Sequence, residues 1–369
     1  MRVVVAPDKF AGTLTAAEAA AAIRDGWLTS APRDEMELVP LSDGGPGFLD
    51  VIADSLGGDL EPVAVTGPLG AVVPAQLLIR SEGTSRTAYV ESAQACGLHL
   101  VPPHRRDAAS SSSASSYGVG ELLLRAADIG CRRVVVGVGG TASTDGGAGL
   151  LAALCALPRD ALVNGGGGLA GVTGVDLAPA RARLDGVALV AATDVGGPLM
   201  GSDGAAIGYA GQKGADRATR DRLEAAMRSW STATNGGLAV RPGAGAGGGL
   251  GFGLLLLGAE RVAGAAVTVE ATGLEQRAAS ADLVLTGEGA FDWQSLRGKV
   301  VAGVARAAQA SGRPVVVLAG RVEVGRRELA NGGIDSAYAV EDLPPGDAGH
   351  TPAQSLAALA ARVARTWSR

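Results

Sequence analysis

Val3-Val4-Val5-Ala6-Pro7-Asp8 sets three valines and an alanine directly against a proline and a carboxylate. A short continuous apolar run bounded by a turn signal reads as a strand buried on both faces, the signature of a parallel sheet. The same grammar recurs along the chain. Leu38-Val39-Pro40-Leu41 runs into Ser42-Asp43-Gly44-Gly45, and Val134-Val135-Val136-Gly137 into the loop that reaches Asp145-Gly146-Gly147. Leu189-Val190-Ala191-Ala192 ends in Thr193-Asp194, and Leu283-Val284-Leu285 ends in Thr286-Gly287-Glu288-Gly289. Open α/β sheets bind ligands beyond the carboxyl ends of their strands. Glycine amides can approach phosphate closely there, and carboxylates at the same edge can hold Mg²⁺. The pattern points to an enzyme that handles a phosphorylated ligand with a metal.

Length and composition set the frame. A chain of 369 residues is longer than one core usually supports, about 250–300 residues, so two domains are expected. Hydrophobic residues make up 47% but aromatics only 3%, so the core must be built from Ala, Val and Leu. The net charge of −5 and the absence of a basic run interleaved with aromatics exclude a general nucleic-acid surface. Cys96, Cys131 and Cys155 form neither a disulfide framework nor a CxxC pair and read as reduced, buried small residues. No apolar run approaches the ~18 residues of a membrane span, and the first strand is too short for a signal peptide. A cytoplasmic protein with no membrane partner is expected.

The first unit reads strand 2–6, a helix from Thr13 or Thr15 to about Leu28, strand 36–41 and a helix from about Pro46 to Ser55. Thr15-Ala16-Ala17-Glu18 fits a capping box. From Gly57 to about Leu100 the texture changes to short strands with Gly and Pro turns. The serine run 110–116 reads as the entry to a helix over 122–129, and Gly165 to Gly168 as a flexible loop. A long helix is expected over 216–234. Strand 281–286, helix 298–311 and strand 314–319 restore the opening grammar. The expected architecture is two-domain α/β. A Rossmann-like parallel-sheet domain is formed by both chain ends (1–64 and 279–369), with a mixed α/β domain (65–278) inserted.

Residue chemistry at the strand ends nominates the site. Gly139-Gly140-Thr141-Ala142-Ser143-Thr144-Asp145-Gly146-Gly147 gathers glycines, hydroxyls and a carboxylate after strand 133–138. As a phosphate cradle its amides and hydroxyls would donate to oxyanions while Asp145 holds a metal; a plain tight βα turn is the alternative. Asp8 with Lys9, and Asp43 with Gly44-Gly45, have the same form. A strand-end aspartate can equally be a helix cap. Lys213, in Gln212-Lys213-Gly214-Ala215, is a phosphate clamp or a solvated lysine. Gly243-Ala244-Gly245-Ala246-Gly247-Gly248 matches GxGxxG, but no clear strand precedes it and no acidic ribose partner follows. That rejects NAD and leaves close backbone packing, or contact with a nucleotide through bare amides. Glu288, Asp292 and Gln294 alternate along one stretch, with Gly298-Lys299 behind them. His99, His104 and His350 are isolated and read as structural or solvated.

Taken in order, these motifs resemble the glycerate kinase family of the bacterial glycerate 2-kinase type. The resemblance runs through Ala6-Pro7-Asp8-Lys9-Phe10, Asp43-Gly44-Gly45, Val65-Thr66-Gly67-Pro68-Leu69-Gly70, Glu91, Gly118-Val119-Gly120-Glu121, the 139–149 loop, Asp194, Gln212-Lys213-Gly214-Ala215 and Thr286-Gly287-Glu288-Gly289 to Lys299. It implies a two-domain kinase that moves the γ-phosphoryl group of Mg-ATP onto a hydroxyl of glycerate, the 2-hydroxyl by expectation, in an interdomain cleft. By the same resemblance Asp8, Lys9, Asp43, Asp145 and Lys213 are catalytic candidates. Gly140, Thr141, Ser143, Gly146, Gly147, Glu288 and Lys299 would bind ATP. Glu91, Asp292 and Gln294 would bind substrate, and Asp145, Asp194 and Glu288 would hold Mg²⁺. The chain departs from the family pattern at Ala11, Pro46, Phe48, Thr144 and Ala290 and near Gly196-Gly197, where the family carries polar or charged groups. Two alternatives follow from those departures: a paralogue for a less polar hydroxy acid, with Phe48 and Ala290 shaping its pocket, or a non-catalytic sensor of nucleotide or hydroxy acid. Oligomeric state stays open.

Overall fold

The computed structural model describes residues 1–10, 12–344 and 349–368. Ala11, one of the departures above, lies outside them. In chain order the strands are β1 (Arg2–Val5), β2 (Glu35–Leu38), β3 (Asp59–Thr66), β4 (Val72–Glu82), β5 (Ser85–Glu91), β6 (Arg133–Gly137) and β7 (Ala188–Ala192). They continue as β8 (Glu260–Val262), β9 (Leu283–Thr286), β10 (Ala290–Phe291), β11 (Val315–Ala319), β12 (Arg321–Val322) and β13 (Ser336–Ala339). The chain divides into two compact units. One comprises Met1–Asp43, Asp50–Leu56 and Ala263–Arg369; the other comprises Gly44–Leu49 and Gly57–Val262.

The first unit is built on a five-stranded sheet in the order β13-β11-β9-β1-β2, parallel throughout. Its apolar runs alternate between two cores, as the period of two in a strand requires. Val4, Val284, Val315 and Val317 face the helices Gly264–Thr272, Leu274–Ala279 and Val300–Gln309. Val3, Val5, Leu283, Leu285, Val316 and Leu318 face the helices Ala16–Ser30 and Pro352–Trp367. Both faces are covered, so a continuous run of valine and leucine is the stable solution. The first helix starts where the sequence places it, with the Thr15–Glu18 capping box formed in both directions.

The second unit carries a six-stranded sheet in the order β3-β4-β5-β6-β7-β8. β3, β4 and β5 are antiparallel neighbours, and β5 to β8 run parallel. The carboxyl ends of β5, β6 and β7 therefore share one edge. Two expectations change here. The serine run is not all entry loop, because Asp107 caps a helix over Ala108–Ser113 by accepting from Ser110 N at 2.8 Å. Gly165 to Gly168 is not a free loop: Gly166 is buried in a 3-10 turn, where a Cβ would fall 2.0 Å from the carbonyl oxygen of Thr144. Cys96 and Cys131 are buried as expected, whereas Cys155 is exposed at the surface turn that follows helix Ala148–Ala153. No helix among the described residues is long and apolar enough to cross a membrane.

Candidate active site

In the first unit β1 lies between β2 and β9, so the loops that leave these three strands emerge side by side. Backbone bonds carry the alignment past the strand ends: Asp8 N donates to Gly287 O at 2.9 Å and Leu41 N to Pro7 O at 2.9 Å. The result brings Asp8, Asp43 and Glu288 to one cavity of about 780 Å³, with Lys9 and Lys299 in its wall. Lys9 Nζ is 2.6 Å from Asp43 Oδ1 and 3.6 Å from Asp8 Oδ1. Asp8 is only 5% exposed and Glu288 only 8%.

This crowding sets the protonation states. Burial first, then the Asp43 charge, pushes the Asp8 carboxyl up to about 8 against the pull of Lys9. Burial likewise raises Glu288 to about 7, opposed by Ser295 and Lys299. Burial alone would lower the Lys9 ammonium, but Asp43 and Asp8 hold it above the ordinary lysine range. Lys9 is thus a fixed cation among carboxylates that ionise reluctantly.

The donor chemistry fits a hard divalent cation. Glu288 Oε1 is buried without a hydrogen-bond partner, and its carboxyl feels the charges of Asp43 and Asp292. Among the described residues no group of three or more His, Cys, Asp or Glu is arranged to hold a metal alone. Mg²⁺ keeps waters and takes one or two carboxylates alongside substrate phosphates, and the orphaned Glu288 Oε1 with the nearby Asp43 is a donor set of that kind.

Asp292 and Lys299 line the same cavity. Gln294 does not; its N–H donates to Asp292 Oδ1 at 2.7 Å and the residue is exposed. Of the departures, Ala290 lines the cavity, while Phe48 does not shape it. Phe48 is fully buried in the second unit, with its ring where a Cβ on Gly137 would sit. The sequence reading missed Thr13, Arg321, Thr351 and Ser355, and had set His350 aside; all five line the cavity. The signal available was the Thr351–Gln354 capping box, which starts the helix Pro352–Trp367. Nothing local tells that this start lines the same cavity as Asp8.

The remaining candidates lie in the second unit, and the structure gives several of them internal work. Asp145 is fully buried. Its Oδ2 accepts from Ser116 N and Ser116 Oγ, each at 2.8 Å, and from Gly149 N at 3.2 Å; its Oδ1 accepts from Gly147 N at 3.1 Å. These donors tie the loop together, three of them on Oδ2 and a single one on Oδ1. The amide of Gly146 is also engaged, donating to Gly248 O at 3.1 Å. The glycines of this loop serve close packing rather than an open cradle of amides.

Lys213 is buried, not solvated. Its ammonium donates to Ser143 O and, at 3.4 Å, to Thr141 Oγ1, and burial lowers it to about 8. The glycine run 243–248 closes over it. Gly247, Gly248 and Gly249 all have positive φ, and a Cβ on Gly248 would fall 1.9 Å from Ser143 O and 2.7 Å from Lys213 Nζ. The GxGxxG match is therefore a packing device. Gly140 also has positive φ, beside Pro46. Glu91 Oε2 accepts from Gly47 N at 3.0 Å and Leu49 N at 3.2 Å, which makes it a brace for the start of helix Phe48–Leu56. Asp194 is half-buried just past β7.

Comparison with known proteins agrees with the order of motifs. Residues 3–368 match the model of the glycerate kinase family. The chain belongs to the glycerate kinase family. Among its relatives within and beside that family, the glycerate kinase of Halalkalibacterium halodurans is 38% identical, over 100% of this chain and 99% of the relative. The glycerate 2-kinase of Escherichia coli is 37% identical, over 92% of this chain and 90% of its own length. A solved structure from Salmonella typhimurium LT2, which bears the provisional name glycerate kinase 2, superposes with a TM-score of 0.74. It is 35% identical and covers 99% of this chain and 98% of its own. Glycerate kinase family membership thus rests on both sequence and fold.

Proposed function

We propose that this protein phosphorylates glycerate with ATP and Mg²⁺, using the 2-hydroxyl as acceptor. The observation that carries the reading is the Lys9 ammonium held between Asp43 and Asp8 at the ends of adjacent parallel strands. Asp8 is the base. A buried carboxyl raised to about 8 is, in its ionised form, a stronger base toward a hydroxyl proton than an ordinary aspartate. Lys9 positions Asp8 and, with Lys299, balances charge on the transferring phosphoryl group and on the substrate carboxylate. Asp43 and Glu288 would hold Mg²⁺, which would neutralise the phosphate oxygens during transfer.

The 139–149 loop and Lys213 enter this reading as the organised carboxyl edge of the second unit. Turnover of Mg-ATP with D-glycerate, followed by phosphorus NMR of the product, tests the proposal. 2-Phosphoglycerate is the expected product. Nucleotide binding without any phosphorylated hydroxy acid would replace the kinase with a sensor.

A further inference from the structure

The cavity of the first unit is polarised along its sheet. In the strand order β13-β11-β9-β1-β2, Glu288 follows β9, Asp8 follows β1 and Asp43 lies farther past β2. On the other side of β9, β11 runs through Gly320 into Arg321, which lines the same cavity. Asp8 and Arg321 therefore leave strands two places apart, roughly 10 Å at the backbone.

The backbone of Arg321 is fixed to the segment that carries Glu288. Gly320 N donates to Glu288 O at 3.2 Å, Arg321 N to Gly289 O at 3.2 Å and Glu323 N to Phe291 O at 2.8 Å. This approach needs a glycine, because a Cβ on Gly320 would fall 2.4 Å from Gly289 O. β10 and β12 pair in parallel with Ala290 opposite Arg321. Residues paired in register project to the same face, and the single methyl of Ala290 leaves that face to the arginine.

The cations of this cavity are not equivalent. Lys9 is engaged by Asp43 and Asp8, and the charge of Lys299 acts on Glu288. An ammonium is a point charge, whereas a guanidinium is a planar fork that matches a carboxylate. Among the described residues that line the cavity, Arg321 is the one guanidinium. Its Nε lies 2.8 Å from Glu323 Oε1, and both side chains are exposed. Such an exposed pair is weak and leaves the Nη donors for a ligand. Glu341, just past β13, lines the cavity without an ion pair to Arg321.

We propose that Arg321 receives the carboxylate of the acceptor and so makes the first unit select a small hydroxy acid over an uncharged polyol. The assignment rests on the kinase reading above and deepens it. With Asp8 at the acceptor hydroxyl, Arg321 holds the other end of the same molecule, on the far side of Glu288.

The test is steady-state kinetics of the full-length protein beside calorimetric titration with D-glycerate. Arg321→Ala is expected to raise the KM for D-glycerate and weaken its binding at least ~10-fold, with the KM for ATP within ~2-fold. Arg321→Lys, which keeps the charge but loses the fork, is expected to recover only part of the affinity. Adding Ala290→Arg to Arg321→Ala returns a guanidinium to the same face across the ladder, and at least ~3-fold of the loss should be regained. Should the arginine variants fail to fold, Glu323→Gln decides instead: it releases the fork and should tighten D-glycerate. Unchanged KM and affinity in folded Arg321→Ala, with phosphoglycerate still formed, would overturn the assignment while the kinase stands. A double variant no better than Arg321→Ala would overturn it too. A wild type that neither binds nor phosphorylates glycerate would overturn both readings.

Discussion

Asp8 shows how much of the chemistry rests on single side chains. Its folded pKa is raised, so the folded state holds a proton that the unfolded chain releases near pH 4, the ordinary aspartate value. Ionisation of Asp8 therefore costs stability as pH rises from about 4 toward 8, by at most about 1.4 kcal/mol per pH unit. Asp8→Asn should then raise the apparent stability of the ligand-free protein at pH 8–9 and leave it unchanged near pH 4, by urea unfolding at each pH. The same substitution should lower turnover by at least ~10²-fold, because the amide cannot take the hydroxyl proton. A variant that is both active and no more stable at high pH would remove Asp8 as the base.

Asp145 makes the contrasting case. Its sequence context is equally suggestive, yet its carboxylate accepts four hydrogen bonds from donors inside the protein. Asp145→Asn turns one accepting atom into a donor that faces N–H and O–H groups. A loss of about 2–4 kcal/mol in chemical unfolding is expected, with no change in Mg²⁺ affinity per folded molecule. The sequence could nominate both aspartates, because each follows a buried strand. It could not rank them, because the ranking depends on donors supplied by Ser116 in one case and on Lys9 and Glu288 in the other.

At the scale of elements, the strands and most helices were legible. β1, β9 and β11 appear within a residue or two of the expected spans, since buried parallel strands and capped helices carry short-range signals. The tight crossing of helices Ala16–Ser30 and Pro352–Trp367 was not legible. It depends on Gly26, where a Cβ would fall 2.0 Å from the carbonyl oxygen of Ala357. Gly26→Ala should raise helix propensity locally yet destabilise the protein by about 1–3 kcal/mol through overpacking. The helix Pro352–Trp367 brings Thr351 and Ser355 to the cavity, so the variant should also raise the KM for glycerate. Guanidinium unfolding and steady-state kinetics on one preparation check both effects.

At the scale of the whole molecule, two units with separate cores share out the candidate chemistry. In the first unit, carboxyls raised to about 7 and about 8 line one cavity beside Asp43. A divalent cation bound there lowers both values, so Mg²⁺ binding near pH 7 should release protons, and near pH 9.5 it should release almost none. Calorimetry in buffers of differing ionisation enthalpy reads this directly; release independent of pH would place the metal elsewhere. Mg²⁺ should also slow amide exchange in β1, β2 and β9 more than in β6 and β7.

The sequence alone determined the α/β class and the family, and nominated the strand ends as candidate sites. Each follows from local patterns: apolar runs of strand length, helix caps, and glycines beside carboxylates. Only the tertiary structure decided which carboxylates share a cavity, that Asp145 and Glu91 accept hydrogen bonds within the second unit, that the GxGxxG segment packs over Lys213, and that His350 and Thr351 line the cavity with Asp8. The physical reason is range. A strand or cap is stabilised by its near neighbours, whereas a pKa, an orphaned oxygen or a cavity wall is set by groups brought together from distant parts of the chain.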